Sequence, residues 1–188
     1  MSQAPARTTV WDAVVRVLHW SLVLSLAFAT LTTLGWGTDL HRAAGYVALA
    51  VVVLRLVWPF VGGARARHAR FGSFVKSPRA TWAYLRQVLA RREPRHVGHN
   101  PLGGWMILAL LTTVAALAVT GWLYTTDTFW GDETVERIHE ALAWWLLVLV
   151  IGHLGGVLYT SWRQRENLVA AMFSGRKRAP APGDIAED

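Results

Sequence analysis

Four stretches of this chain, residues 13–34, 41–60, 102–123 and 138–160, are nearly unbroken apolar sequence. A helix needs about 20 such residues, at roughly 1.5 Å rise each, to cross the hydrocarbon core of a bilayer. Each run supplies that length. The expected fold class is therefore all-α, an integral membrane four-helix bundle. Composition agrees, with 53% hydrophobic and only 16% charged residues, which excludes an ordinary soluble domain. The chain has no cysteine, so disulfides, thiolate metal sites, iron–sulfur clusters and covalent CxxCH heme attachment are closed to it. The first run reads as a retained helix, because it is a full membrane length and lacks a small-residue cleavage site.

A net charge of +7 would suit a nucleic-acid partner, but its distribution argues otherwise. With the N-terminus in the cytoplasm, 17 of the 19 Lys and Arg fall in or beside cytoplasmic segments: Arg7, Arg16, Arg55, nine in residues 65–95, and five after the fourth run. Only Arg42 and Arg137 fall outside. This is the positive-inside pattern and predicts that both termini are cytoplasmic. The basic charge then sets topology and faces anionic membrane lipid, with no nucleic acid involved.

Taken in order, residues 1–9 are expected to be polar and mobile. Trp11 is expected at the membrane interface and Asp12 at the positive end of the first helix. Residues 35–39 make a short outer turn. In the long cytoplasmic connection, Ser77-Pro78 opens a short interfacial helix carrying Trp82, Leu85 and Leu89 opposite Arg79 and Arg86, with Phe71 and Phe74 as further anchors. Asn100-Pro101 starts the third long helix, which has no histidine or charge and is expected to close the bundle. The outer face gathers Asp39, Asp127, Asp132, Glu133, Glu136 and Glu140 against Arg42 and Arg137. It is either a solvated face or a docking surface for a basic redox protein such as a c-type cytochrome. Beyond the fourth run, Trp162, Leu168 and Met172 are expected at the interface. The domain is expected to end near residue 175, with 176–188 a disordered cytoplasmic tail.

The anomaly in this apolar chain is histidine. His139 and His153 stand two heptads apart on the fourth helix, on one face and roughly 21 Å apart. Ionisable groups inside a membrane are costly and ordinarily mark a function. Counting along helices whose directions the arginines set gives His19 the depth of His153, near the cytoplasmic side, and His41 the depth of His139, near the outer side. Gly152, Gly155 and Gly156 flank His153, leaving room for something flat or for a neighbouring backbone. Two facing imidazoles at each of two depths suit heme held by two axial ligands. One zinc site cannot draw four ligands from pairs so far apart. A proton relay would want membrane carboxylates beside the histidines, and only Glu140 qualifies.

Several motifs sharpen this reading: VWDxxVRxxHW at residues 10–20, HRAAGY at 41–46, GHNPLGG at 98–104, IHEALA at 138–143, GHLGG at 152–156 and ENLVAAM at 166–172. Together they resemble the prokaryotic four-helix diheme cytochrome b family, which includes the cytochrome b subunits of nickel–iron hydrogenase and formate dehydrogenase and small stand-alone diheme cytochromes b. The resemblance implies a multi-pass protein of the bacterial inner membrane with two heme b. The first and fourth helices would ligate the cytoplasmic heme through His19 and His153. The second and fourth would ligate the outer heme through His41 and His139. Arg16, Arg42 and Arg55, near those depths, are candidate partners for heme propionates.

The expected function is transmembrane electron transfer in a respiratory chain, between a quinone pool and a redox partner. Within the redox class, the alternative is a non-catalytic anchor subunit of a hydrogenase-like or dehydrogenase complex. A different class, a non-redox proton pathway or structural membrane protein, would use the histidines for protonation or packing.

Overall fold

In a computed structural model of the protein, the described residues are 6–35, 37–63, 66 and 69–186. The first five residues, Trp36 of the outer turn, Arg65 and Arg67 of the basic connection, and residues 187–188 of the tail lie outside them.

Four helices are long and apolar enough to cross a membrane: α1 (Ala13–Thr32), α2 (Thr38–Val61), α5 (Pro101–Leu123) and α6 (Glu133–Gln164). Between α2 and α5 lie α3 (Phe71–Phe74) and α4 (Pro78–Leu89), and α7 (Leu168–Ser174) follows α6. Local capping explains the starts. Asp12 Oδ1 accepts the Val15 N–H at 2.9 Å at the head of α1. Ser77 caps α4 by accepting the Ala80 N–H, with Pro78 as first helical residue. Asn100 Oδ1 takes the Gly103 N–H at 2.8 Å ahead of α5.

The fourth apolar run was expected over 138–160, yet α6 is 32 residues long. Asp132 Oδ1 accepts the N–H groups of Thr134 and Val135, and Glu133 and Glu136 sit on the positive first turn, so the helix starts at its cap rather than where lipid begins.

The chain forms two compact units. The first comprises Met1–Arg16, Trp58–Ile107 and Gly152–Asp188; the second comprises Val17–Val57 and Leu108–Ile151. In the first unit, Val10, Trp11 and Val97 form one buried cluster, and Val15, Ala66 and Ala69 another; Met172 packs on both. Phe74 is fully buried. Gly104, in the first turn of α5, lies so close to α3 that a Cβ there would come within 2.6 Å of the Phe74 carbonyl oxygen. Gly175 ends α7 in the left-handed conformation, φ 76°, and gives its carbonyl to the N–H groups of Val10 and Trp11.

Four expectations are corrected here. Residues 7–9 are not mobile: Arg7–Thr9 forms strand β1, antiparallel to β2 (Arg176–Arg178), with Thr8 opposite Lys177. Trp11 is not an interfacial anchor but is buried, with the Lys177 ammonium 5.6 Å from its ring centroid. Phe74 and Met172 likewise belong to the interior of this unit. The described part of the tail is ordered: Ile185 bridges His96, and Arg95, itself buried, binds the Asp184 carboxylate at 2.5 Å and the Glu166 carboxylate at 3.0 Å. These charges have partners far away in sequence, so the tail has a reason to fold that its composition hides.

Candidate functional site

The second unit brings His41 of α2 and His139 of α6 together, with ring centroids 6.2 Å apart and planes inclined at 71°. Two imidazoles that share one metal ion from opposite sides hold their centroids about 6 Å apart, since each metal–nitrogen bond is about 2.0–2.1 Å. The observed separation is that of such a pair.

Each ring is also committed to one tautomer. His41 Nδ1 lies 3.0 Å from the Ala29 carbonyl oxygen and 3.2 Å from Thr32 Oγ. A carbonyl only accepts, so Nδ1 carries the proton. Thr32 gives its own hydrogen to the Ala29 carbonyl at 2.6 Å. His139 Nδ1 lies 2.9 Å from Thr120 Oγ, whose hydrogen goes to the Ala116 and Leu117 carbonyls at 2.9 and 3.1 Å. With the hydroxyl hydrogen directed at those carbonyls, its oxygen is placed to accept the Nδ1–H of His139. With Nδ1 occupied on both rings, Nε2 keeps the lone pair that a metal needs.

Space around the pair is shaped by glycine. A Cβ on Gly121 would approach His139 Cε1 to 3.2 Å, so a side chain at this position of α5 would crowd the ring. Gly45, one turn after His41, has nothing within 4 Å of a Cβ position. Among the described residues, no three His, Cys, Asp or Glu gather to hold a metal ion by themselves. A facing imidazole pair with no third protein ligand fits a metal whose remaining positions are filled by a flat macrocycle.

His19 belongs to the second unit and His153 to the first. His19 is half-buried and meets Trp20 edge-on at 5.1 Å. His153 is half-buried on α6. Beside it, a Cβ on Gly152 would touch the Met106 methyl at 3.4 Å, while Gly155 and Gly156 have nothing within 4 Å. These last two glycines border open space rather than a packed neighbouring backbone.

The three arginines differ in their surroundings. Arg55 is 8% exposed on the apolar helix α2. A buried guanidinium in a membrane helix is expensive and suits an anionic ligand group. Arg16 donates through Nη1 to the Phe173 carbonyl, while its buried Nε has no hydrogen-bond partner among the described residues. Arg42 is half-exposed and paired with Asp39 one turn earlier.

Sequence reasoning did not find Thr32, Thr120 or Gly121. The third long helix was expected only to close the bundle; its Thr120 and Gly121 instead position a histidine. His96 was also missed. It is buried in the first unit, edge-on to Tyr84 at 5.2 Å, and neither nitrogen has a hydrogen-bond partner among the described residues. Burial, then the charges of Lys76 and Lys177, push its pKa down to about 4. Burial, with Glu93 and Tyr159, pushes the Tyr84 phenol up to about 12. His99, not read as a ligand, stacks at a tilt on Trp11 and Phe74 at 4.3 and 4.7 Å.

Residues 10–175 match the family model described as prokaryotic cytochrome b561. Curated relatives match over nearly the whole chain. A protein of Rhizobium leguminosarum bv. viciae named probable Ni/Fe-hydrogenase B-type cytochrome subunit is 25% identical, over 89% of this chain and 87% of its own length. An Azotobacter vinelandii protein of the same name is 24% identical, over 88% and 86%. The probable Ni/Fe-hydrogenase 1 B-type cytochrome subunit of Escherichia coli K12 is 24% identical, over 88% of each chain.

Proposed function

Since the chain belongs to the prokaryotic cytochrome b561 family, a family of multi-pass proteins of the bacterial inner membrane, we propose that it carries electrons across that membrane on two heme b groups. In this reading His41 and His139 hold the outer heme and His19 and His153 the cytoplasmic one. A heme iron held by two imidazoles has no open position and exchanges single electrons. The observation that carries the reading is the His41–His139 pair, with its 6.2 Å spacing and both Nδ1 atoms already engaged.

The protein's own contribution is to fix those rings and neutralise charge. Thr32, Thr120 and the Ala29 carbonyl orient the outer imidazoles, and Gly121 leaves room for one of them. Arg16, Arg42 and Arg55 are the guanidinium groups read as partners for heme carboxylates; Arg42 is already paired with Asp39. The open space at Gly155 and Gly156 supports the assignment of His153.

Relatives named as cytochrome subunits of Ni/Fe-hydrogenases support a hydrogenase as the redox partner; in this reading the chain exchanges electrons between that partner and a quinone pool. The pairing of β1 with β2 supports a topology with both terminal segments on one side of the membrane, and the arginine distribution supports the cytoplasm as that side.

Purified protein should show a b-type reduced spectrum and two hemes per chain. His139→Ala should lose one heme and His41→Ala the same one, whereas His153→Ala should lose the other. A single heme in the wild type, or retention of both in folded His139→Ala, would sink the assignment. Co-purification of a hydrogenase in mild detergent tests the partner.

A further inference from the structure

We infer that Thr120 and Thr32 are positioning residues that set the electron affinity of the outer site through the ligand imidazoles; the inference rests on the assignment of His41 and His139 as a heme pair. The two histidines come from different helices, yet each meets the same small device. A threonine gives its hydrogen to a backbone carbonyl of its own helix three or four residues earlier, and its oxygen lies against the imidazole Nδ1. On its own, that hydroxyl-to-carbonyl bond is an ordinary habit of helical threonine. Here it aligns the oxygen lone pair with the imidazole N–H, at 2.9 Å for Thr120 and 3.2 Å for Thr32.

The chemistry of the acceptor decides the consequence. A hydrogen bond that pulls on Nδ1–H makes Nε2 a better donor to a metal, which favours the more positive, oxidised metal. A carboxylate would pull hardest. Among the described residues, the hydrogen-bond partners of these two rings are threonine hydroxyls and the Ala29 and Leu117 carbonyls, all neutral. The Thr120 contact is the shorter of the two hydroxyl contacts, which makes it the one to change first.

The test is a redox titration of the intact, heme-loaded protein in detergent, with ferric electron paramagnetic resonance spectra, for the wild type, Thr120→Val, Thr120→Ser and His139→Ala. Valine keeps the shape and removes the hydroxyl. Thr120→Val should retain two hemes and raise the midpoint of one transition, the one that His139→Ala abolishes, and should move the low-spin signal of that heme. Thr120→Ser should restore both towards wild type. Loss of the outer heme in Thr120→Val but not in Thr120→Ser supports the same role. An unchanged or lowered midpoint in Thr120→Val, or loss of the heme in both variants, would overturn it. If His139→Ala keeps both hemes, the ligand assignment itself fails and takes this inference with it.

Discussion

The His96 imidazole, only 6% exposed and held low by burial and two lysines, carries no role in the heme sites but has a measurable effect on folding. Above pH 6.5 it is neutral both folded and unfolded, and pH has no leverage through it. Between about 6.5 and 4 the unfolded chain takes up a proton that the folded chain refuses, so stability falls as pH falls. Each pH unit in that window removes up to about 1.4 kcal/mol. Thermal unfolding in detergent should show a midpoint that drops from pH 7.5 to 5, and His96→Phe should flatten the drop; an unchanged slope would refute the assignment. Nothing in the sequence around His96 announces this, because it comes from burial, with Tyr84 edge-on to the ring, and from the charges of lysines 20 and 81 residues away in the chain. The outer histidine pair was legible, since helical rise alone sets depth. Its threonines were not. Thr30, Thr32 and Thr33 all back-bond to their own helix, and only the rotation of α1 decides which one meets His41.

Among elements, the long helices were legible from apolar length, and their ends less so, because ends follow caps. The second terminal strand was read as part of a disordered tail because Arg176-Lys177-Arg178 is a run of like charge leading into a Pro-containing segment. Its stabilising partners come from elsewhere. Arg95 binds Glu166 and Asp184 and donates to the Arg178 carbonyl at 2.8 Å, while the Arg178 N–H returns to Glu166. Lys177, also buried, donates to the Val97 and Gly98 carbonyls. Burial alone would raise the Asp184 carboxyl, but the Ala181 N–H and the Arg95 guanidinium outweigh it and hold it below its ordinary value. Removing one member of a buried ion cluster strands the others and costs about 3–5 kcal/mol. Arg95→Leu should therefore free the tail, so that trypsin cuts at 176–178 in folded protein many times faster than in the wild type. Equal cutting rates would show that the cluster does not hold the tail.

For the whole molecule, membrane class followed from composition and family from dispersed motifs, whereas the division into two units was not foreseen. Sidedness was inferred from charge, and it is directly testable because the chain has no native cysteine. In intact cells, Asp127→Cys should react with a membrane-impermeant maleimide, and Arg92→Cys should react only after lysis; the reverse pattern would invert the topology. The β1–β2 pairing has a temporal consequence as well. Residues 176–178 are made long after residues 7–9, so the strand pair of the first unit closes only after α6 and α7 have been synthesised. The second unit, whose residues run only as far as Ile151, has every residue of its histidine pair available earlier. Biogenesis thus has a built-in order, in which the His41–His139 pair can form while the first unit still awaits its second strand.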